Sequence, residues 1–420
     1  MKKRTLLGTL LSITLIMLSC ENHIADDCNL KTENQSSNTL SENEAINIVK
    51  SFQMAINGET VSSRAEIDNP VTYNIGKKIY ISQNSRMTRS FSDANTFMYE
   101  VQITNGAKNG RALVSGDKRF PEVIAYIPAY NDTVNSIVTA SAAMTQMAIN
   151  TYIENLNNYK EEQSTRSTPI QDIDRPLMMV GPFCGTEWDQ FEPYNLAYPK
   201  NWVDIFFGIC SYTHYPTGCA VTAIAQIMAA VEPNMTCAGL KMDWNYLKQN
   251  KTINNGPFGT PDPQDKLNMV SALFKDIYDK TYSTPMWGTG ETDEYPSQQV
   301  SCVIGVSTTS SNVYSYLNSR SNVTYCSSYQ KWNLDVVRNS LYNIRPVFVG
   351  GNNHAFVIDG YAVNRSTSSS NNVYFHCCFG WGGYSDGYYL VNSNGSVSFE
   401  TGSGTYTDTQ LSIIPDIRKR

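Results

Sequence analysis

The hydrophobic period of the last 245 residues changes once, and that change limits what they can fold into. After the breaker Pro216/Gly218, the apolar residues Ala220, Ala223, Ile224, Ile227 and Met228 recur at helical spacing. Leu267, Val270, Leu273, Phe274 and Ile277 repeat the pattern, and a further helix is expected near Leu334 to Tyr342. Beyond Pro346 the chain reads as short strands: Val347–Val349, His354–Ile358, Val373–Phe379, Tyr388–Val391 and Leu411–Ile414. Helices first and strands afterwards predict one α/β or α+β domain over residues 176–420. The run Pro285 to Pro296, rich in Gly and Pro, is expected to be a loop, and there is no internal repeat.

Two residues in that domain stand out chemically. Cys219 falls in the first turn of its helix, where free backbone N–H groups and the positive end of the dipole stabilise a thiolate. A buried, inert core cysteine is the competing reading. His354 enters its strand from the turn Gly350-Gly-Asn-Asn, 135 residues after Cys219. An imidazole can take a thiol's proton near neutral pH and return it to a leaving group, and this order and separation are those of papain-type proteases. His214 and His376 are rivals for the same part. Centring the fold-back of the two strands on Ser366 puts 354 opposite 378, which predicts that Cys378 touches the imidazole.

Composition narrows the class. A net charge of −6 over 420 residues, with no basic run beyond the two ends, argues against nucleic acid as a partner. The ten cysteines include no C-x-x-C, and with four histidines they give no metal site; no cofactor is expected. Cys377 and Cys378 are adjacent in a strand, so they should face opposite ways.

Residues 1–20 read as an export signal: Lys2-Lys3-Arg4, an apolar run from Leu6 to Leu18, then Ser19-Cys20. The end of the run resembles a bacterial lipoprotein signal, which would put a lipid on Cys20; Met17 replaces the usual Leu, so plain secretion is the alternative. Residues 21–40 look like a flexible tether. A first folded unit, 41–159, opens with the capping box Ser41-Glu-Asn-Glu44. Strands follow at Val71–Tyr73, Lys78–Ile81, Phe97–Ile103 and, after an Asn105-Gly106 turn, Ala112–Val114, with Val123–Ile127 beyond them and a long helical pattern from Ile137 to Leu156. Residues 160–175 have little to bury and read as an exposed linker open to proteolysis.

Four segments together carry a resemblance. Trp188-Asp-Gln-Phe-Glu-Pro-Tyr-Asn195, Thr217-Gly-Cys-Ala-Val-Thr-Ala-Ile-Ala-Gln-Ile-Met228, Gly351-Asn-Asn-His-Ala-Phe-Val-Ile-Asp-Gly360 and Phe379-Gly-Trp-Gly-Gly-Tyr-Ser-Asp-Gly-Tyr-Tyr389 resemble the streptopain family of bacterial cysteine peptidases. The resemblance implies an α+β, papain-like fold in which a helical part carries Cys219 and an antiparallel sheet carries His354. It also implies hydrolysis of protein or peptide substrates. Cys219 would be the nucleophile, His354 the general acid/base, and Gln190 a donor to the oxyanion together with the Cys219 backbone N–H. Trp381 would pack beside the pair. Residues 41–159 resemble the family's inhibitory prosegment, released by cleavage at the linker, with Lys160, Arg166 and Arg175 as candidate sites. Cys378 departs from the family, where an Asn that orients the imidazole stands, and Phe379 replaces a Trp. A lost neutral hydrogen bond of about 1 kcal/mol implies an active enzyme slower by about fivefold to tenfold. A catalytically dead relative serving as a binding or inhibitor protein is the alternative.

Overall fold

The computed structural model describes residues 38–57, 71–80, 96–131, 178–201, 213–256, 259–290, 300–351, 354–365, 371–391, 397–400, 405–407 and 410–420. The signal segment with Cys20, most of the tether, the helical pattern Ile137–Leu156 and the linker with Lys160, Arg166 and Arg175 lie outside the described residues.

Helix α1 (Glu42–Asn57) begins at the expected box. The Ser41 N–H donates to Glu44 Oε2 at 2.7 Å and the Glu44 N–H to Ser41 Oγ at 3.3 Å, so two of the helix's orphan donors are satisfied. Its apolar stripe, Ala45, Ile48, Val49 and Phe52, is buried against an antiparallel meander. The meander is β1 (Thr72–Tyr80), β2 (Phe97–Asn105), β3 (Lys108–Ser115) and β4 (Val123–Asn131). The two short strands expected at Val71–Tyr73 and Lys78–Ile81 are one, because the irregularity at Gly76 is absorbed as a bulge between Ile75 and Lys77. Leu40, grouped with the tether by composition, is buried, and its N–H donates to the Gly116 carbonyl.

After β5 (Met178–Val180) comes α2 (Cys219–Val231), the hairpin β6 (Thr236–Cys237) and β7 (Leu240–Lys241), α3 (Trp244–Gln249) and α4 (Gln264–Lys280). The run expected as a Gly/Pro loop is half strand: β8 (Thr284–Gly290) pairs with β9 (Val300–Ser307). Gly288 serves packing there, since a Cβ would lie 2.6 Å from Ile304. Helix α5 (Ser310–Ser315) and a π turn (Tyr316–Arg320) lead through β10 (Thr324–Tyr325) and β11 (Gln330–Lys331) to α6 (Leu334–Tyr342). The strand-rich end contains β12 (Val347–Gly351), β13 (His354–Arg365), β14 (Asn371–Cys378), β15 (Gly387–Leu390), β16 (Ser398–Glu400), β17 (Thr405–Thr407), β18 (Ser412–Ile414) and β19 (Arg418–Lys419).

One sheet runs β1-β2-β3-β4-β15-β14-β13-β12-β18-β11, with β5 also on β13. The N-terminal meander is therefore joined to the second half through β4 and β15, where Tyr388 pairs with Tyr126 and Tyr389 with Ala125. Gly387 makes the approach close: a Cβ there would sit 2.3 Å from the Tyr126 carbonyl oxygen. Alternation along β13 splits the core in two. Phe356 and Ile358 join α1 and α6 in one cluster; Ala355 and Val357 join α2, α3 and α4 in the other. Cys377 and Cys378 divide between the same two clusters, as their adjacency requires.

Candidate active site

Gly218 sets the start of α2. Its φ of 84° and ψ of 143° suit glycine, and a Cβ would lie 2.5 Å from the Val306 carbonyl oxygen. Cys219 is thus the first helical residue, packed under the β8–β9 hairpin. The loop before it is tied to the Trp188–Gln190 stretch, and that stretch to the turn at Trp381–Gly382. The Thr217 N–H donates to the Gln190 carbonyl at 2.9 Å, and the Gly382 N–H to the Trp188 carbonyl at 3.0 Å. Residues 188–190, the head of α2 and the Trp381–Gly382 turn therefore form one hydrogen-bonded corner. Gln190 is half-buried there.

The sheet supplies the fourth piece. The Ala355 N–H donates to Cys219 Sγ at 3.3 Å, so His354 is the residue next to the one that touches the sulfur. The imidazole stacks on Trp381, with centroids 4.6 Å apart and planes 25° apart, and lies parallel to Phe379 and Phe356 at 6.1 and 6.3 Å. Burial pushes His354 down to about 4, and a hydrogen bond with the Phe379 backbone works against that. Its Nε2 is buried with no hydrogen-bond partner. Burial pushes the Cys219 thiol up, opposed by backbone hydrogen bonds from Ala355, Ala220 and Cys219 itself. In this form both directions favour the uncharged pair over the ion pair.

The rival histidines have other partners. His214 Nδ1 lies 3.0 Å from Glu192 Oε1. His376 Nδ1 lies 2.6 Å from Asp359 Oδ1; burial opposes the imidazolium, but the Asp359 carboxylate prevails and holds it well above the usual histidine range. Asp359 Oδ2 also accepts the N–H groups of Phe183 (2.9 Å) and Cys184 (2.8 Å). The sequence reading missed this cluster. Its signal was a single acidic residue inside the apolar run Ala355–Ile358 and Gly360-Tyr-Ala-Val363.

The hairpin register differs from the expected one. Cys378 pairs with Val357, three residues beyond His354. The strands turn back between Arg365 and Asn371, later than the Ser366 centre assumed, and a bulge at Asp359 recovers only part of the offset. The Cys378 sulfur lies against His376 Nδ1, at 3.9 Å, and against Cys184, so the expected contact between Cys378 and the His354 ring is replaced by these.

Residues 188–389 match the model of the peptidase C10 family. Streptopain of Streptococcus pyogenes is 26% identical over 341 residues, spanning 73% of this chain and 77% of that protein. The thiol protease/hemagglutinin PrtT of Porphyromonas gingivalis is 25% identical over 337 residues, 74% of this chain and 36% of the longer relative. Among solved structures, a fragment of Prevotella intermedia prointerpain A is 16% identical with a TM-score of 0.47, covering 82% of this chain and 99% of that one. Active interpain A gives 18% and 0.37 over 60% of this chain and all of that one. With the thiol at the head of α2 and the imidazole at the head of β13, the chain is a cysteine-type peptidase whose residues 188–389 match the peptidase C10, or streptopain, family.

Proposed function

We propose that the protein is an exported cysteine endopeptidase made as a zymogen, with Cys219 as nucleophile and His354 as general acid/base. The observation that carries this is the 3.3 Å contact from the Ala355 N–H to Cys219 Sγ, which puts the head of β13 against the head of α2. In the reaction the imidazole takes the thiol proton and the thiolate attacks the peptide carbonyl. The Cys219 backbone N–H and the Gln190 amide donate to the developing oxyanion, His354 protonates the leaving amine, and water releases the acyl group. Trp381 keeps the imidazole in its plane. Cys378 acts on the pair through the chain, since the residue after it, Phe379, both stacks on the ring and meets it by its backbone.

The N-terminal unit, residues 41–159, is the inhibitory prosegment. Its strands extend the peptidase sheet, and Arg111 stands over the Tyr384 ring at 5.9 Å, in the loop that also carries Trp381. Cleavage in 160–175, after Lys160, Arg166 or Arg175, frees it. Export follows from the first twenty residues, with a lipid on Cys20 or simple secretion.

The partnerless Nε2 of His354 favours a second reading, a catalytically weakened or dead relative that binds rather than cuts. Processed protein treated with iodoacetamide separates the two. Selective, pH-dependent alkylation at Cys219, and casein hydrolysis lost in Cys219→Ala and His354→Ala, are expected; an inert Cys219 together with no hydrolysis would refute the peptidase reading.

A further inference from the structure

Behind the site, three side chains that do not take part in the proton transfer or the attack meet in a fully buried cluster: Cys184, Asp359 and Cys378, whose sulfur and carboxylate atoms all lie within 4.8 Å of one another. The carboxylate is already engaged. Asp359 Oδ1 holds His376, and Oδ2 accepts the backbone N–H groups of Phe183 and Cys184. A cation here would have to displace those bonds and sit near an imidazolium. The two sulfurs are different: they lie within 4.8 Å of each other, and their buried surroundings hold both thiols protonated. Two thiols facing each other in a dry core gain little from staying reduced.

We propose that Cys184 and Cys378 are a covalent modification site, oxidised to a cystine when the protein folds outside the cell. The partners in the reaction are the two thiols and a disulfide donor, either a thiol–disulfide exchange protein in its oxidised form or an oxidised low-molecular-weight thiol. One cysteine displaces a donor sulfur to give a mixed disulfide, and the second displaces the remaining donor sulfur. The Cys184–Cys378 bond forms, both thiol protons pass to the departing sulfurs, and the donor leaves as two thiols. The exchange takes place before residue 184 is buried. Its effect is local to the peptidase. Cys184 follows β5, the first described strand after the linker, and Cys378 precedes the Phe379 on which His354 stacks. The bond holds the start of the peptidase domain to the strand leading into the active site after the prosegment has gone.

The proposal uses the export reading, so the test carries its own control in Cys302, which is disulfide-bonded. Full-length protein secreted with Cys219→Ala, to prevent self-digestion, is alkylated without reductant, digested and mapped by mass spectrometry. The expected result is a peptide pair joined through Cys184 and Cys378, lighter by two hydrogens than the reduced pair. A phosphine reductant should lower the melting temperature of this protein by more than that of the Cys184→Ala form. Alkylation of both Cys184 and Cys378 while Cys302 remains bonded overturns the proposal, as does a Cys184–Cys377 link or a bound metal at one per chain with both thiols reduced. A fully reduced map, Cys302 included, overturns it together with the export reading.

Discussion

Replacing Trp381 with Ala removes the ring that covers one face of the His354 imidazole. His354 is held at about 4 chiefly by burial, against an ordinary 6.5, and the gap corresponds to about 3.4 kcal/mol of bias against the imidazolium. Trp381, 4.6 Å away and nearly parallel, is the nearest of its three aromatic neighbours. If it supplies about half of the dry environment, its loss returns the imidazole upward by roughly one pH unit, which multiplies the thiolate–imidazolium population about tenfold at fixed thiol acidity. A cation–π attraction of about 0.5–1 kcal/mol would pull the other way, by less. The assay is the pH dependence of two rates in processed enzyme, iodoacetamide alkylation of Cys219 and peptide hydrolysis. The alkaline limb of both should move up by about one unit, alkylation near pH 7 should speed up, and kcat should fall because the ring has lost its support. An alkaline limb that stays put or moves down would mean that Trp381 stabilises the charge rather than excluding water from it, and the burial argument would fail.

Gly218→Ala forces a side chain into a backbone conformation costing about 1–3 kcal/mol and against the Val306 carbonyl at 2.5 Å. Relief must move the head of α2, so kcat/KM should drop by about a hundredfold for a sulfur displaced by about 1 Å, while circular dichroism keeps its helical signal. Glu122 is buried, and burial raises it from 4.5 to about 8, partly offset by the nearby Asn372 and Tyr374 side chains of β14. Because the folded form keeps its proton longer, the contribution is complete below pH 4.5 and is lost as pH rises through 8, at most roughly 5 kcal/mol. The zymogen's melting temperature should therefore fall between pH 5 and 9, and Glu122→Gln should flatten that slope; an equal slope in both refutes the assignment. Asp359→Asn leaves His376 without its counter-charge in a dry core, which should cost about 3–5 kcal/mol and show in urea unfolding as a lower midpoint.

Much of this was legible in the sequence because it rests on local physics. The Ser41 box, the Phe97 to Ala112–Val114 hairpin and the helix Leu334–Tyr342 are set by caps, turn residues and period, and each stands where those signals put it. The four segments of the family resemblance, between Trp188 and Tyr389, coincide with the span of the family match. What failed depended on long-range geometry. The register of β13 against β14 could not be obtained by folding the sequence about Ser366, since the strands turn back later, between Arg365 and Asn371, and the bulge at Asp359 recovers only part of that offset. The meeting of Cys184 with Cys378 was equally hidden, because the two are brought together by long-range contacts, the pairing of β5 with β13 and the N–H groups of residues 183 and 184 reaching the Asp359 carboxylate. Strand β8 was missed because Pro285, Gly288 and Gly290 read as breakers, whereas Gly288 makes room for Ile304.

The shared backbone ladder between β4 and β15 means that the proposed prosegment is attached as a strand of the same sheet. On the zymogen reading proposed above, maturation would strip the hydrogen bonds from Tyr388 and Tyr389 and leave a bare, aromatic selvage where the prosegment used to be. A cut inhibitor fragment can stitch itself back onto that border, and so can any other extended chain.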